Sequence, residues 1–304
     1  MPIYSAVVLA SLSAICSAQT ITETFGSGAN AFTMDFVTIG NPGNAPSSWG
    51  GGSVSYVYNL GKYEVSRDMV DKANSQGLTE VTIALMADVR NFGGADGPAR
   101  PATGISWYEA AKFVNWLNTT KGFMPAYKFN SNGVFSLWVE GDNGYNSSNK
   151  TRNSLANFWI PSNNEFYKGA KGSPDGTWYE FATGSNTRPT PVSGGTSANT
   201  AVYDSQQGPA DITNAGGLSA WGTMGQQGNV SEWREDVSTN IYTGASERFE
   251  DLDNWNNWEL NTAALGPPDF ESVRLGFRVA MIPEPSSLSL LALGGVVVAL
   301  RRRR

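Results

Sequence analysis

The residues best suited to chemistry lie in one short run, Gly228-Asn229-Val230-Ser231-Glu232-Trp233, followed by Arg234-Glu235-Asp236. The glycine permits a sharp turn, and the amide and the carboxylate supply oxygen. The indole pins the turn to a core. Such a turn exposes backbone carbonyls beside an acidic side chain, and that oxygen-only crowding suits a hard cation such as calcium. The alternative is that Glu232 only accepts from backbone amides within the turn. Glu235 and Asp236 sit close to Glu232, and paired carboxylates do acid–base work in glycoside hydrolysis. No second catalytic block accompanies them, so a solvated acidic turn is the simpler reading.

Composition removes most other chemistry. The 304 residues contain no histidine, and Cys16 is the single cysteine. That excludes a Ser-His-Asp triad, a Cys-His pair, a histidine-based zinc or iron site and an internal disulfide. Any metal must be held by oxygen. The formal net charge is −6, and setting aside the four positive charges of Arg301, Arg302, Arg303 and Arg304 leaves −10 for the rest. An acidic body repels phosphate backbones, so no nucleic-acid partner is expected.

Both ends read as addresses. Residues 1–18 resemble a secretory signal, with an apolar run from Ala6 to Ile15 and a cut expected after Ala18. A buried N-terminal helix is the alternative. At the other end Pro283, Glu284 and Pro285 precede an apolar stretch over residues 286–300 and the four arginines. Fifteen helical residues reach about 22 Å, short of a ~30 Å hydrocarbon core. Snorkelling arginines and local thinning would close the gap, so a short transmembrane helix is expected, with the body outside. The order of motif, apolar stretch and arginine cluster resembles the PEP-CTERM sorting signal of Gram-negative bacteria. The resemblance implies an exosortase-type partner, an inner-membrane intermediate with a transient or processed anchor, and delivery to the cell surface or extracellular matrix. A plain tail anchor is the alternative.

Between these ends, hydrophobic periodicity predicts the elements that must position the turn. Residues 32–39 alternate as a half-buried strand, and residues 54–58 and 63–65 read as further strands. Ser66 caps a helix over about 67–74. Ser106 and Glu109 form a capping box for a helix ending near Asn118, and Ser162 and Glu165 another for a helix to about Ala170. Residues 134–138 and 275–280 read as strands, and 171–229 as long surface loop. Few helices, many short strands and long loops predict an irregular α+β domain.

Five blocks in this order resemble the formylglycine-generating enzyme, or sulfatase-modifying factor, family. They are Tyr63-Glu64-Val65-Ser66, residues 101–111 with Ser106-Trp107, Ile160-Pro161-Ser162-Asn163-Asn164-Glu165-Phe166, residues 228–233, and Gly276-Phe277-Arg278. The resemblance implies a variant of the C-type lectin fold over residues 19–281. It also implies catalysis by a copper-binding cysteine pair, but the equivalent positions here fall at about Trp255 and Leu260. No copper site is therefore expected, and the chain is expected to be a non-catalytic relative. For calcium, the family pattern implies carbonyls from Gly228 and Val230 and the Glu232 carboxylate. Gly225 stands where a further Asn or Asp ligand usually lies. A second family site would start at Asn199, with Asp204 or Asp211 as acidic partner. Residues 247–259 hold the family's substrate-groove position, where Trp255, Trp258, Asn254 and Asn257 would meet a ligand. The function expected is binding of a glycan or protein of the extracellular matrix. The rival is a formylglycine-generating-type or related oxidoreductase acting on a protein substrate.

Overall fold

A computed structural model of the chain describes residues 19–78, 81–83, 97–203, 209–235, 244–245 and 267–283. The N-terminal strands β1 (Thr20–Phe25) and β2 (Phe32–Ile39) form an antiparallel hairpin in which Phe25 pairs with Phe32 and Thr20 with Val37. One face of the ribbon points into the core over residues 32–36, whereas Phe36, Val37, Thr38 and Ile39 are all buried, so the end of β2 is covered on both faces rather than half-buried as its alternation predicts. Strand β3 (Tyr58–Gly61) continues the sheet, and helix α1 (Arg67–Asn74) follows, its first turn closed by the Ser66 hydroxyl accepting from the Met69 N–H.

Helix α2 (Trp107–Thr120) starts at the expected box, where the Ser106 hydroxyl accepts from the Glu109 N–H and the Glu109 carboxylate accepts from the Ser106 N–H. It buries Trp107, Ala110, Ala111, Phe113, Val114 and Leu117. Two short strands, β4 (Lys128–Phe129) and β5 (Phe135–Ser136), form a separate ribbon. Strand β6 (Phe158–Trp159) leads into helix α3 (Asn163–Lys171), which repeats the box with Ser162 and Glu165. After α3 come the parallel pair β7 (Thr190–Pro191) and β8 (Thr200–Ala201). The chain closes with β9 (Ser231–Trp233), β10 (Gly244–Ala245), β11 (Leu275–Phe277) and β12 (Ala280–Met281).

The main sheet has the order β1-β2-β3-β12-β6, with every neighbouring pair antiparallel. A second sheet, β10-β9-β11, joins β9 and β11 in parallel. The core around α2 is aromatic. Phe32 of the main sheet stacks on Trp116 of α2 at 5.9 Å, and Phe113 of α2 meets Phe277 of the second sheet edge-on at 5.4 Å. The described residues thus make a mixed α+β fold with three α-helices, short strands and long loops.

Three further strand expectations change. Pairing begins at Tyr58 rather than covering 54–58, and residues 63–65 form no strand. The strand expected over 275–280 is two strands in different sheets, because buried Arg278 sends its side chain to Gly61, Met224 and Glu232 between them. The transmembrane helix is also corrected. Among the described residues no helix is long and apolar enough to cross a membrane. The longest of them, α2, has 14 residues and reaches about 21 Å against a ~30 Å hydrocarbon core. Residues 286–300, on which the expectation rested, lie outside the described residues and are short for the same geometric reason.

Candidate functional site

The turn before β9 depends on left-handed backbone. Gly225 has φ 73°, Gly228 φ 105° and Asn229 φ 59°. A Cβ on Gly228 would lie 2.4 Å from the Val202 carbonyl oxygen, so only glycine fits there. That approach lets the Asn229 N–H donate to the Val202 carbonyl at 2.7 Å. The Asn229 amide oxygen accepts from the Ala210 N–H at 2.8 Å, which fixes its NH2 toward Glu64 at 2.9 and 3.1 Å. Trp233 donates from its indole to the Ile105 carbonyl at 2.6 Å, tying β9 to the start of α2.

Glu232 meets Arg278 in a two-pronged pair. The guanidinium Nε donates to Oε2 at 2.6 Å and Nη2 to Oε1 at 2.5 Å. Further donors of Arg278 reach the Gly61 and Met224 carbonyls, each at 3.0 Å. Glu64 lies beside this pair. Burial pushes its carboxyl well above the carboxylate range, and the Glu232 charge adds to the effect against Arg278, Asn229 and the Val230 N–H. A Cβ on Gly225 would lie 3.1 Å from Glu64 Oε2, so the space beside position 225 is filled by a carboxyl from a distant segment.

A second cluster repeats the pattern of two carboxylates about one arginine. Glu235 accepts from the Tyr127 hydroxyl at 2.8 Å and the Asn149 amide at 2.7 Å, with Arg152 Nε 3.4 Å away. Glu165 accepts from the Tyr56 hydroxyl at 2.6 Å, the Trp159 indole at 3.1 Å and the Ser162 N–H at 2.7 Å, with Arg152 Nη1 at 3.5 Å. Burial penalises the Glu165 charge, yet Arg152, Tyr56 and Ser162 hold its carboxyl below the ordinary value. Burial dominates at Glu235, whose carboxyl is raised despite Arg152.

All four carboxylates are buried and every one accepts from several donors. Acid–base work on an external substrate needs an oxygen that the substrate can reach. Their geometry instead clamps segments far apart in the chain. Among the described residues no group of three or more His, Cys, Asp or Glu is arranged to hold a metal.

The structure brings Gly228, Val230 and Glu232 together with Glu64 and Arg278, two partners that the turn's own sequence does not signal. Asn199 sits just before β8, where its side chain bonds the Thr183 hydroxyl and the Arg188 carbonyl. Asp211 pairs with Arg100 at 3.3 Å. Asp204, Asp236, Asn254, Trp255, Asn257, Trp258, Leu260, Glu284 and Pro285 lie outside the described residues, and Pro283 is the last described position. Glu64 was visible only as part of a family block.

Comparison with known proteins adds the family. The chain matches the Sulfatase-modifying factor enzyme 1-like domain over residues 54–282 and the PEP-CTERM protein-sorting motif over residues 282–304. No curated protein matches. Among solved structures it is similar to Treponema denticola variable protein 1, with TM-score 0.58 and 16% identity, covering 86% of this chain and 99% of that one. It is also similar to CarF, with TM-score 0.57 and 17% identity, covering 83% and 99%. Identities this low speak for the fold alone. The sorting motif implicates an exosortase-type system and an exported, surface-sorted protein. With three quarters of its length in that match, and with the buried turn of Gly228 to Trp233 inside it, the chain belongs to the family of the Sulfatase-modifying factor enzyme 1-like domain.

Proposed function

We propose that this chain is a non-catalytic binding protein of the extracellular matrix, built on a sulfatase-modifying-factor-like domain with a C-type-lectin-like variant fold. The observation that carries the reading is the state of the acidic groups in the described domain: Glu64, Glu165, Glu232 and Glu235 are buried and committed to internal donors. With no histidine, and with Cys16 inside the expected leader, the chain lacks the side chains for the family's oxidation chemistry. A positioned fold without a reactive group serves recognition.

The route is export behind a leader cut after Ala18, an inner-membrane intermediate, loss of the tail from Pro283 onward, and release to the surface or matrix of a Gram-negative-type bacterium. The partner is a matrix glycan or protein, met at the groove expected around Asn254, Trp255, Asn257 and Trp258. At the turn of Gly228 and Val230, the Arg278 guanidinium stands in for a calcium ion, because both Glu232 oxygens already bond to it.

Two measurements test this reading. The protein should show no turnover of a cysteine-type sulfatase peptide supplied with copper, and turnover would establish the oxidoreductase instead. On a glycan array the protein should retain a defined set of glycans that Trp258→Ala loses. Silence on every glycan would leave a matrix protein as the partner.

A further inference from the structure

The main sheet fixes where the sorting signal leaves the fold. Strand β12 is not an edge: Met281 pairs with Asn59 of β3 on one side and Phe158 of β6 on the other. The ladder runs one residue further, since the Ile282 N–H donates to the Asn157 carbonyl at 2.9 Å. Pro283, the first residue of the Pro-Glu-Pro motif, comes next. No spacer separates the folded sheet from the motif. Three residues of chain span at most ~11 Å, so the whole motif stays within that distance of Ile282.

The rim at this end of the sheet is apolar and exposed. Ile282 is 42% exposed, Leu155 49% and Phe123 39%. Leu155 lies two residues before Asn157, and Phe123 packs edge-on against Phe158 at 6.3 Å. The rim is also held firmly. The Asn118 side-chain oxygen accepts from both the Asn157 and Phe158 N–H groups, and the Phe123 N–H donates to the Asn118 carbonyl. The other terminus comes off the same end, because the Thr38 N–H donates to the Gln19 carbonyl and Thr38, Asn59, Met281 and Phe158 form one row across the sheet. Three strand spacings put Gln19 about 14 Å from Met281.

We propose that Phe123, Leu155 and Ile282 form a docking surface for the exosortase-type protein that reads the motif. This inference rests on the sorting reading above. A protein that grips residues 283–285 must come against the rim, because the motif begins where the ladder ends. Exposed apolar side chains on a rigid edge then add contact area to the grip on a short motif. The sorted unit is therefore the motif together with one end of the folded sheet, rather than the tail alone.

The test follows loss of the tail by pulse-chase, using the full chain in a host that carries its sorting protein. Phe123→Ser with Leu155→Ser should slow processing about tenfold in a protein that still unfolds cooperatively, with a lower melting temperature because Phe123 loses its edge-on contact with Phe158. Leu155→Ser alone should slow it in part with the melting temperature unchanged, because Leu155 is exposed. A six-residue Gly-Ser insertion between Ile282 and Pro283 should slow it to a similar degree, and the rim substitutions should then have no further effect. Processing of the rim variant at the native rate overturns the proposal, as does faster processing with the insertion, which would mark the fold as an obstacle. A rim effect that persists undiminished behind the insertion also overturns it. If the full chain binds phosphatidylethanolamine–phosphatidylglycerol vesicles without the sorting protein, and the rim variant does not, the surface meets lipid instead. Failure of the native chain to be processed at all would remove the sorting reading itself, whereas native processing with an indifferent rim removes only this inference.

Discussion

A carboxyl buried beside a second carboxylate loses stability as it ionises, and Glu64 is in that position. Burial and the neighbouring Glu232 raise its folded value well above the ordinary one. Its unfolded value is about 4.3. The sign follows from linkage: the contribution is complete below the unfolded value and is lost as pH rises through the folded value. Glu232 and Glu235, also raised by burial, act in the same direction. The melting temperature should therefore fall between pH 5 and pH 8, and Glu64→Gln should fall less over the same span. Equal losses would show that Glu64 is not the titrating group. Arg278 offers the complementary test. Its removal strands Glu232 and Glu64 without their cation, so Arg278→Met should cost about 3–5 kcal/mol in denaturant unfolding. Adding Glu232→Leu should recover much of that, and added calcium should change the unfolding of the native protein no more than chelator does. A double variant as unstable as the two single losses combined would remove the ion pair from the account.

The capping boxes show the same local code set into different surroundings. Ser106 with Glu109 and Ser162 with Glu165 close α2 and α3 by reciprocal hydrogen bonds. Their spacing is local, which is why both helix starts were legible in the sequence. Glu109 does little beyond its box, apart from accepting the Thr82 N–H at 3.0 Å. Glu165 also takes the Tyr56 hydroxyl and the Trp159 indole and faces Arg152. Glu109→Ala should cost about 1 kcal/mol, the ordinary worth of a cap. Glu165→Ala should cost about 3–5 kcal/mol, because it leaves Arg152 short of one of its two carboxylates and the buried Trp159 indole without its acceptor. Similar losses in denaturant titrations would mean that the wider network adds nothing to the cap. What the sequence hid is non-local. Glu64 bonds Asn229 across 165 positions, and no pattern near either residue announces the other. Two-residue strands such as β6 and β12 are too short for periodicity, and only their pairing across the sheet defines them. The turn at Gly228 was legible as a turn, whereas its two arginine-centred neighbours were not.

At the scale of the molecule, the family match and the folded unit have different limits. The match begins at residue 54, but β1 and β2 lie before it and occupy one side of the main sheet. They are not an appendage. Phe25, Phe32, Met34, Phe36, Val37 and Ile39 are all buried in the core. Phe25 and Phe36 pack against Phe158, and Phe32 stacks on Trp116 of α2. At about 1.5–3 kcal/mol for each fully buried apolar side chain, these six contribute roughly 9–18 kcal/mol. That is of the same order as the whole net stability of a typical domain, about 5–15 kcal/mol. Removing the hairpin would also bare β3 as a new edge, with unpaired backbone groups that template aggregation. A chain starting at Val54 should therefore be insoluble or unfold without a cooperative transition, while one starting at Gln19 should be soluble and unfold cooperatively. The comparison needs only the soluble fraction and a thermal melt of each. A cooperative melt from the shorter chain would show that the sheet is complete without its first two strands, and that the buried aromatic face finds its cover elsewhere.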